Sequence, residues 1–96
     1  MQVEFELDIP NAFTPNGDQA NDTWNIKVTN SDRVEQAVIR VYDRRGSVIY
    51  ESIGFDAPWN GMSIGQLVPM DTYYYTIDLN LSYIKKTYKG AVSILH

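Results

Sequence analysis

Hydrophobic and polar residues alternate with a period of two over several short segments of this chain. At residues 3–9, apolar Val3, Phe5 and Leu7 alternate with polar neighbours, which is typical of a strand that buries one face. The same period predicts strands at residues 24–28, 37–43, 47–51, 72–81 and 87–95, and a short strand is expected at 67–68. No window of ten residues has a helical period. We therefore predict an all-β fold, an antiparallel Ig-like β-sandwich of six or seven strands.

Residues that favour turns separate these segments. Asp43-Arg44-Arg45-Gly46 predicts a hairpin turn in which Gly46 supplies the positive φ. Residues 52–70 are rich in Gly and Pro, and are predicted to be irregular apart from the strand at 67–68. With 96 residues and no internal linker, we expect one domain over residues 1–96, with Met1 as an added start residue.

Composition and charge remove several classes of function. The chain has no Cys, which excludes disulfides, thiolate metal sites and Cys nucleophiles. Its net charge is −4, and its two basic pairs, Arg44-Arg45 and Lys85-Lys86, lie in predicted turns. A nucleic-acid partner is therefore not expected. No apolar run approaches the ~20 residues of a spanning helix, so we expect no membrane insertion.

The sequence offers no set of catalytic residues. His96 is the only His and is the last residue, where side chains are rarely well ordered. A Ser-His-Asp arrangement elsewhere is therefore excluded. The acidic residues are scattered, and no Gly-rich phosphate loop follows a strand. We predict that the protein is not an enzyme and has no catalytic residues.

Aromatic residues are numerous, with seven Tyr, three Phe and two Trp. Tyr73 and Tyr75 share a strand face with aliphatic residues, which places them in the core, while Tyr74 points to the other face. Trp24 and Trp59 are also expected in the core, each indole N–H bonded to a carbonyl. The Tyr73 hydroxyl is expected to bond back to the backbone as a corner. A row of exposed aromatics would instead indicate a carbohydrate-binding module.

The stretch from Ile9 to Trp24, IPNAFTPNGDQANDTW, combines turn residues with oxygen ligands. Asn16, Asp18 and Asp22 have the hard oxygen donors that calcium prefers, although their spacing is not that of an EF-hand. The same residues suit a structured turn in which Asn and Asp accept backbone N–H bonds and Gly17 follows Asn16. Both interpretations stay open. In either case Phe13 is expected to pack against the core.

Five blocks of the sequence, in order, resemble one known family. IPNAFTPNGDQAND, IRVYDRRGSVIYES, WNG, VPMDTYYYTIDL and YKGAVSIL are similar to successive motifs of the gliding-motility-associated C-terminal domains. These are the type B sorting domains of the type IX secretion system of Bacteroidota. The resemblance covers nearly the whole chain. Gln19, Arg45 and Asp71 stand where the family usually has Gly, Trp and Gly.

The resemblance implies a function and a surface that carries it. Such a domain is a non-catalytic C-terminal signal without a cofactor, which directs a large cargo through the periplasm to the cell surface or medium. Its implied partners are the type IX outer-membrane translocon and a cognate PorP/SprF-type outer-membrane protein. By analogy the recognition loop comprises Asn11, Phe13, Thr14, Pro15, Asn16, Gly17, Asp18, Asn21 and Asp22. The alternatives are an adhesive or carbohydrate-binding β-sandwich module and a structural spacer of a surface protein.

Overall fold

The computed structural model describes residues 6–15, 22–29, 34–55, 57–63, 65–81 and 84–95. This part of the chain is all-β. Its strands, in chain order, are β1 (Glu6–Asp8), β2 (Ala12–Phe13), β3 (Lys27–Thr29), β4 (Val34–Tyr42), β5 (Val48–Ile53), β6 (Met62–Ser63), β7 (Gln66–Leu67), β8 (Thr72–Leu81) and β9 (Lys85–Ile94).

A five-stranded sheet in the order β2-β9-β8-β4-β5 forms the main layer. Its long strands are antiparallel, whereas β2 runs parallel to β9 and pairs Ala12 with Ser93 and Phe13 with Ile94. Two small antiparallel sheets, β1-β3 and β6-β7, complete a sandwich-like arrangement. The predicted antiparallel β-sandwich class is therefore confirmed.

The core lies on one face of the five-stranded sheet, where the apolar positions of the alternating strands meet. Because side chains alternate across a strand, Ile77 and Leu79 point inward while Asp78 between them is exposed. The buried core comprises Phe13, Trp24, Ala37, Ile39, Val41, Trp59, Val68, Tyr73, Ile77, Leu79, Val92 and Ile94. The burial of both Trp residues and of Tyr73, and the 50% exposure of Tyr74, confirm the predicted faces.

The longest predicted strand is confirmed, and the short elements differ from the prediction. β8 has the predicted bounds, and the six strands of three or more residues match the expected number. Three two-residue strands bring the count to nine among the described residues, because two residues are too few to show a period. The prediction of a strand over 24–28 is wrong at its start. Trp24 makes only an isolated bridge with Trp59, and β3 begins at Lys27.

Several other bounds also shift by one to three residues. β5 covers Val48–Ile53 instead of 47–51, and β9 covers Lys85–Ile94 instead of 87–95. β4 begins at Val34, before the predicted residue 37, because its pairing with β8 continues to Leu81 across an irregularity in register. The short strand predicted at 67–68 lies one residue earlier, in the hairpin of β6 and β7. The predicted hairpin turn before β5 is confirmed, with Gly46 at φ 88°.

Candidate recognition surface

Trp59 is the point where the aromatic residues of the core meet. It is 1% exposed, and its ring lies 5.5 Å from Phe13, 5.9 Å from Tyr50 and 5.8 Å from Tyr73, measured between centroids. The contacts with Phe13 and Tyr73 are edge-to-face, which the ring quadrupoles favour. The indole N–H donates to the carbonyl of Met62 at 3.0 Å, as predicted. These four rings come from four of the five sequence blocks, so the blocks contact one another through Trp59.

The first half of the predicted recognition loop is fixed by its backbone carbonyls. The Trp24 indole N–H donates to the carbonyl of Pro10 at 2.7 Å. The carbonyls of Asn11 and Phe13 accept N–H bonds of 2.9 and 3.0 Å from the end of β9 and the residue after it. These three bonds fix the backbone of residues 10–13 against Trp24 and the end of β9. Phe13 is 3% exposed, which confirms the expected packing against the core.

Pro15 packs directly over Gly61 of the Trp-Asn-Gly block. A Cβ placed on Gly61 would lie 3.0 Å from Pro15 Cγ and 3.3 Å from Leu67 Cδ1. Gly61 also has a φ of 82°, a conformation that side-chain-bearing residues rarely adopt. Its carbonyl accepts the N–H of Val68 at 2.8 Å. Glycine at this position therefore allows the loop to approach the β6–β7 hairpin.

The tyrosine corner lies beside this cluster. The Tyr73 hydroxyl donates to the carbonyl of Pro69 at 2.6 Å, four residues earlier, as predicted. Burial raises the pKa of Tyr73 above its ordinary value. The bond fixes the segment before β8, and with it the orientation of the Tyr73 ring against Trp59.

Asp71, which departs from the family pattern, has a partner in the hairpin turn between β4 and β5. Its carboxylate accepts a hydrogen bond from the Arg44 guanidinium and another, at 2.7 Å, from the Thr72 N–H. The Arg44 guanidinium, and then the Thr72 N–H, hold the pKa of Asp71 below its usual value. The substitution therefore adds an ion pair between two segments that are 27 residues apart.

Gly90 of the closing block is covered by a tyrosine from the neighbouring strand. Tyr75 lies opposite Gly90 in the β8–β9 register, and its phenol occupies the space that a Cβ on Gly90 would need. On its other side the Tyr75 ring contacts Trp24, with centroids 5.1 Å apart. The glycine thus positions an aromatic ring that supports the tryptophan bonded to Pro10.

The structure describes part of the predicted recognition loop. Of its nine residues, Asn11 is exposed, Thr14, Pro15 and Asp22 are half-buried, and Phe13 is buried. Asn16, Gly17, Asp18 and Asn21 lie outside the described residues. The same holds for two of the three predicted calcium ligands, so the metal prediction rests on sequence. No group of three or more His, Cys, Asp or Glu residues suited to a metal occurs within the described ranges.

Sequence reasoning missed two contacts between distant segments, one of which holds the loop to the β6–β7 hairpin. Pro15 and Gly61, and likewise Asp71 and Arg44, are far apart in the chain, and neither pair shares a local motif. The one signal in the sequence is the glycine itself, two residues after Trp59, and the structure shows that it has a positive φ. Between Trp24 and Trp59 the packing leaves a crevice of about 10 Å³, at the lower limit for one water molecule.

Comparison with known proteins identifies the family. Residues 7–94 match the family described as CHU_C type IX secretion signal domain. A search among curated proteins finds no match. Within the described ranges, no helix has the length and apolar character needed to cross a membrane. Because the match spans most of the 96 residues and includes every block that meets at Trp59, this chain belongs to the type IX secretion signal domain family.

Proposed function

We propose that residues 1–96 form a C-terminal sorting domain that targets a large cargo protein to the type IX outer-membrane translocon. Membership of the family implies export across the outer membrane to the cell surface or medium, and interaction with the type IX export machinery. The domain acts without catalysis and without a cofactor. It passes through the periplasm on the way to the translocon, together with its cargo.

The observation that carries this proposal is the family match over residues 7–94. The geometry supports it, because the sequence blocks are used to build a frame around Trp59 rather than to line a cavity. A sorting signal needs a surface that is held in one shape when the partner arrives. The three fixed carbonyls of Pro10, Asn11 and Phe13 supply that rigidity at the start of the loop.

The loop residues divide into anchors and contacts. Phe13 is an anchor, since its side chain is buried against Trp59. Pro15 is both, because it packs on Gly61 and is only half-buried. The translocon and a PorP/SprF-type partner read the backbone at Gly17 and the side chains of seven other loop residues. These are Asn11, Thr14, Pro15, Asn16, Asp18, Asn21 and Asp22.

A carbohydrate-binding module is the second candidate, and the burial of the aromatics counts against it. Such a module needs an exposed row of rings, whereas Trp24, Trp59 and Tyr73 are each 5% exposed or less. Tyr74, at 50%, is the one Tyr or Trp in the described ranges that is strongly exposed. Its cross-strand neighbour Tyr42 is half-buried and shares a 3.2 Å hydrogen bond with Thr76.

Export of a reporter tests the proposal. The domain is fused to the C-terminus of a fluorescent protein behind a signal peptide and expressed in a host with the type IX system and the cognate outer-membrane partner. We expect the reporter at the cell surface or in the medium, and reporter without the domain in the periplasm. Periplasmic retention of the fusion in this host contradicts the proposal.

A further inference from the structure

The two edges of the five-stranded sheet are protected differently. On the β9 side, β2 covers Ser93 and Ile94, and the open part of the strand carries Lys85, Lys86 and Lys89. Lysine and a covering segment are common devices against edge-to-edge pairing. On the other side, β5 pairs only with β4 in the described part of the chain, and its sequence VIYESI contains neither Lys nor Pro. No described strand therefore bonds to the outer edge of β5, although β6 lies near it.

The backbone groups that β5 leaves free follow from its pairing with β4. The N–H of Gly54 donates to the carbonyl of Ala37 at 2.8 Å. In an antiparallel pair, bonded positions alternate, so Ser52, opposite Ile39, also faces β4. Glu51, and likewise Ile53, then direct their N–H and C=O groups away from the sheet. These two residues present a template for one more strand.

The side chains at this edge specify what kind of strand fits. Ile53 is 74% exposed, the highest value among the large hydrophobic residues described. Glu51 lies 2.6 Å from Arg40 Nε, while Asp78 lies 3.8 Å from the same guanidinium. The Glu51 side chain is still 52% exposed after pairing with Arg40, so its carboxylate can accept a further donor beside the exposed Ile53. An incoming strand complements this edge with a basic residue opposite Glu51 and an apolar residue opposite Ile53.

A second copy of the chain satisfies this pattern poorly. In a continuous antiparallel sheet centred on Glu51, each Glu51 would face the same carboxylate of the other copy, and like charges directly opposite are destabilising. Centred one residue later, Glu51 would face the apolar Ile53 of the other copy. Neither arrangement supplies a cation.

We infer that the β5 edge docks an extended segment of a partner protein that carries Lys or Arg opposite Glu51 and an apolar side chain opposite Ile53. Main-chain hydrogen bonds supply the affinity of such strand addition, and the alternating side chains supply its specificity. We place this partner in the export machinery, and that assignment rests on the proposed function, because an export signal binds that machinery. β5 lies at the opposite edge of the five-stranded sheet from β2, the strand of the described part of the recognition loop.

Two matched substitutions test the inference in the exporting host. Ile53→Lys introduces a charge that blocks strand addition, and Ile84→Lys makes the same change at a residue that is 55% exposed outside the edge. Both sites are exposed, so both variants are expected to have the same melting temperature as the parent. We expect loss of the reporter from the cell surface for Ile53→Lys alone. Equal export of the two variants overturns the inference, while failure of the parent contradicts the proposed function instead.

A peptide probe tests the occupant directly on the purified domain. The probe is the synthetic heptapeptide Thr-Ile-Thr-Lys-Thr-Ile-Thr, and its control has Glu in place of Lys. With the Lys peptide, we expect slower amide hydrogen exchange at Glu51 and Ile53, with little change at Ser52, which already faces β4. No change at millimolar peptide, equal binding of the Glu peptide, or concentration-dependent dimerisation through β5 each overturns the inference.

Discussion

Large apolar side chains are buried on the inner face of the five-stranded sheet and exposed to solvent at the β5 edge. On the inner face, aromatic residues from separate sequence blocks pack on Trp59, and their polar atoms find backbone partners. At the β5 edge, Ile53 is 74% exposed and neighbouring backbone groups lack partners from the described chain. The difference teaches that each sequence block has two parts: buried aromatic or aliphatic residues that build the frame, and exposed residues that are free for the contacts we propose.

The largest expected effect comes from removing an inner-face anchor. Phe13→Ala truncates a buried ring against Trp59, which typically costs ~3–5 kcal/mol. A domain of this size has a free energy of unfolding of about 5–15 kcal/mol. The melting temperature should therefore fall sharply, and export should fail because the domain does not fold. Asn11→Ala, at an exposed position, is the control for stability. Its free energy of unfolding should lie within about 0.5 kcal/mol of that of the parent. Parent-like melting of Phe13→Ala would move Phe13 from the core to the docking surface.

A pair of glycine substitutions measures how tightly the loop is held to the frame. Gly61→Ala and Gly46→Ala both force a side chain into a positive φ, of 82° and 88°, at a cost of about 1–2 kcal/mol each. Only Gly61→Ala also pushes against Pro15, since a Cβ on Gly46 meets nothing within 4 Å. Urea unfolding should therefore show a larger loss of stability for Gly61→Ala. Equal losses would mean that Pro15 yields without cost.

A smaller effect on stability is expected from the ion pair between Arg44 and Asp71. Because Arg44 and the Thr72 N–H lower the pKa of Asp71, its carboxylate stabilises the fold above the ordinary carboxyl pKa. That contribution is lost as pH falls through the lowered pKa of the folded state. The stability advantage of the parent over Asp71→Asn should be modest at pH 7 and should shrink in acid. Denaturant midpoints across pH check this, and a pH-independent difference would contradict it.

No change is expected when calcium is added. A ligand that binds only the folded state raises its stability by mass action. If residues 16–22 form a structured turn, the melting temperature should be the same with millimolar calcium and with a chelator, and Asp18→Ala should not alter that result. A calcium-dependent rise that Asp18→Ala abolishes would establish the site at Asn16, Asp18 and Asp22 instead.

Local patterns in the sequence predicted the parts of the fold that have local causes. The ten-residue alternation of β8 fixed both its bounds and its buried face, and the Asp-Arg-Arg-Gly turn identified the hairpin before β5. The Tyr73 corner was also predictable, because its acceptor lies only four residues away. These features depend on neighbours in the chain, which a single sequence displays.

Contacts between distant segments could not be predicted in the same way. The two-residue strand at Ala12–Phe13 forms only because β9 supplies its backbone partners, some 80 residues later. The Arg44–Asp71 pair was visible in the sequence as a departure from the family pattern, without any indication of the partner. The openness of β5 likewise depends on which strands lie beside it. Phe13 was placed correctly, because a large apolar residue among Pro and Asn indicates an anchor.

The central claim is that, Pro15 apart, different side chains carry the frame and the surface that we propose the translocon reads. Export and melting of Asn16→Ala test it most directly, since Asn16 belongs to the proposed contact set and Phe13→Ala supplies the frame-breaking comparison. The account predicts that Asn16→Ala has the melting temperature of the parent while its reporter stays in the periplasm. Normal export of Asn16→Ala at unchanged stability would contradict the claim that this side chain is read.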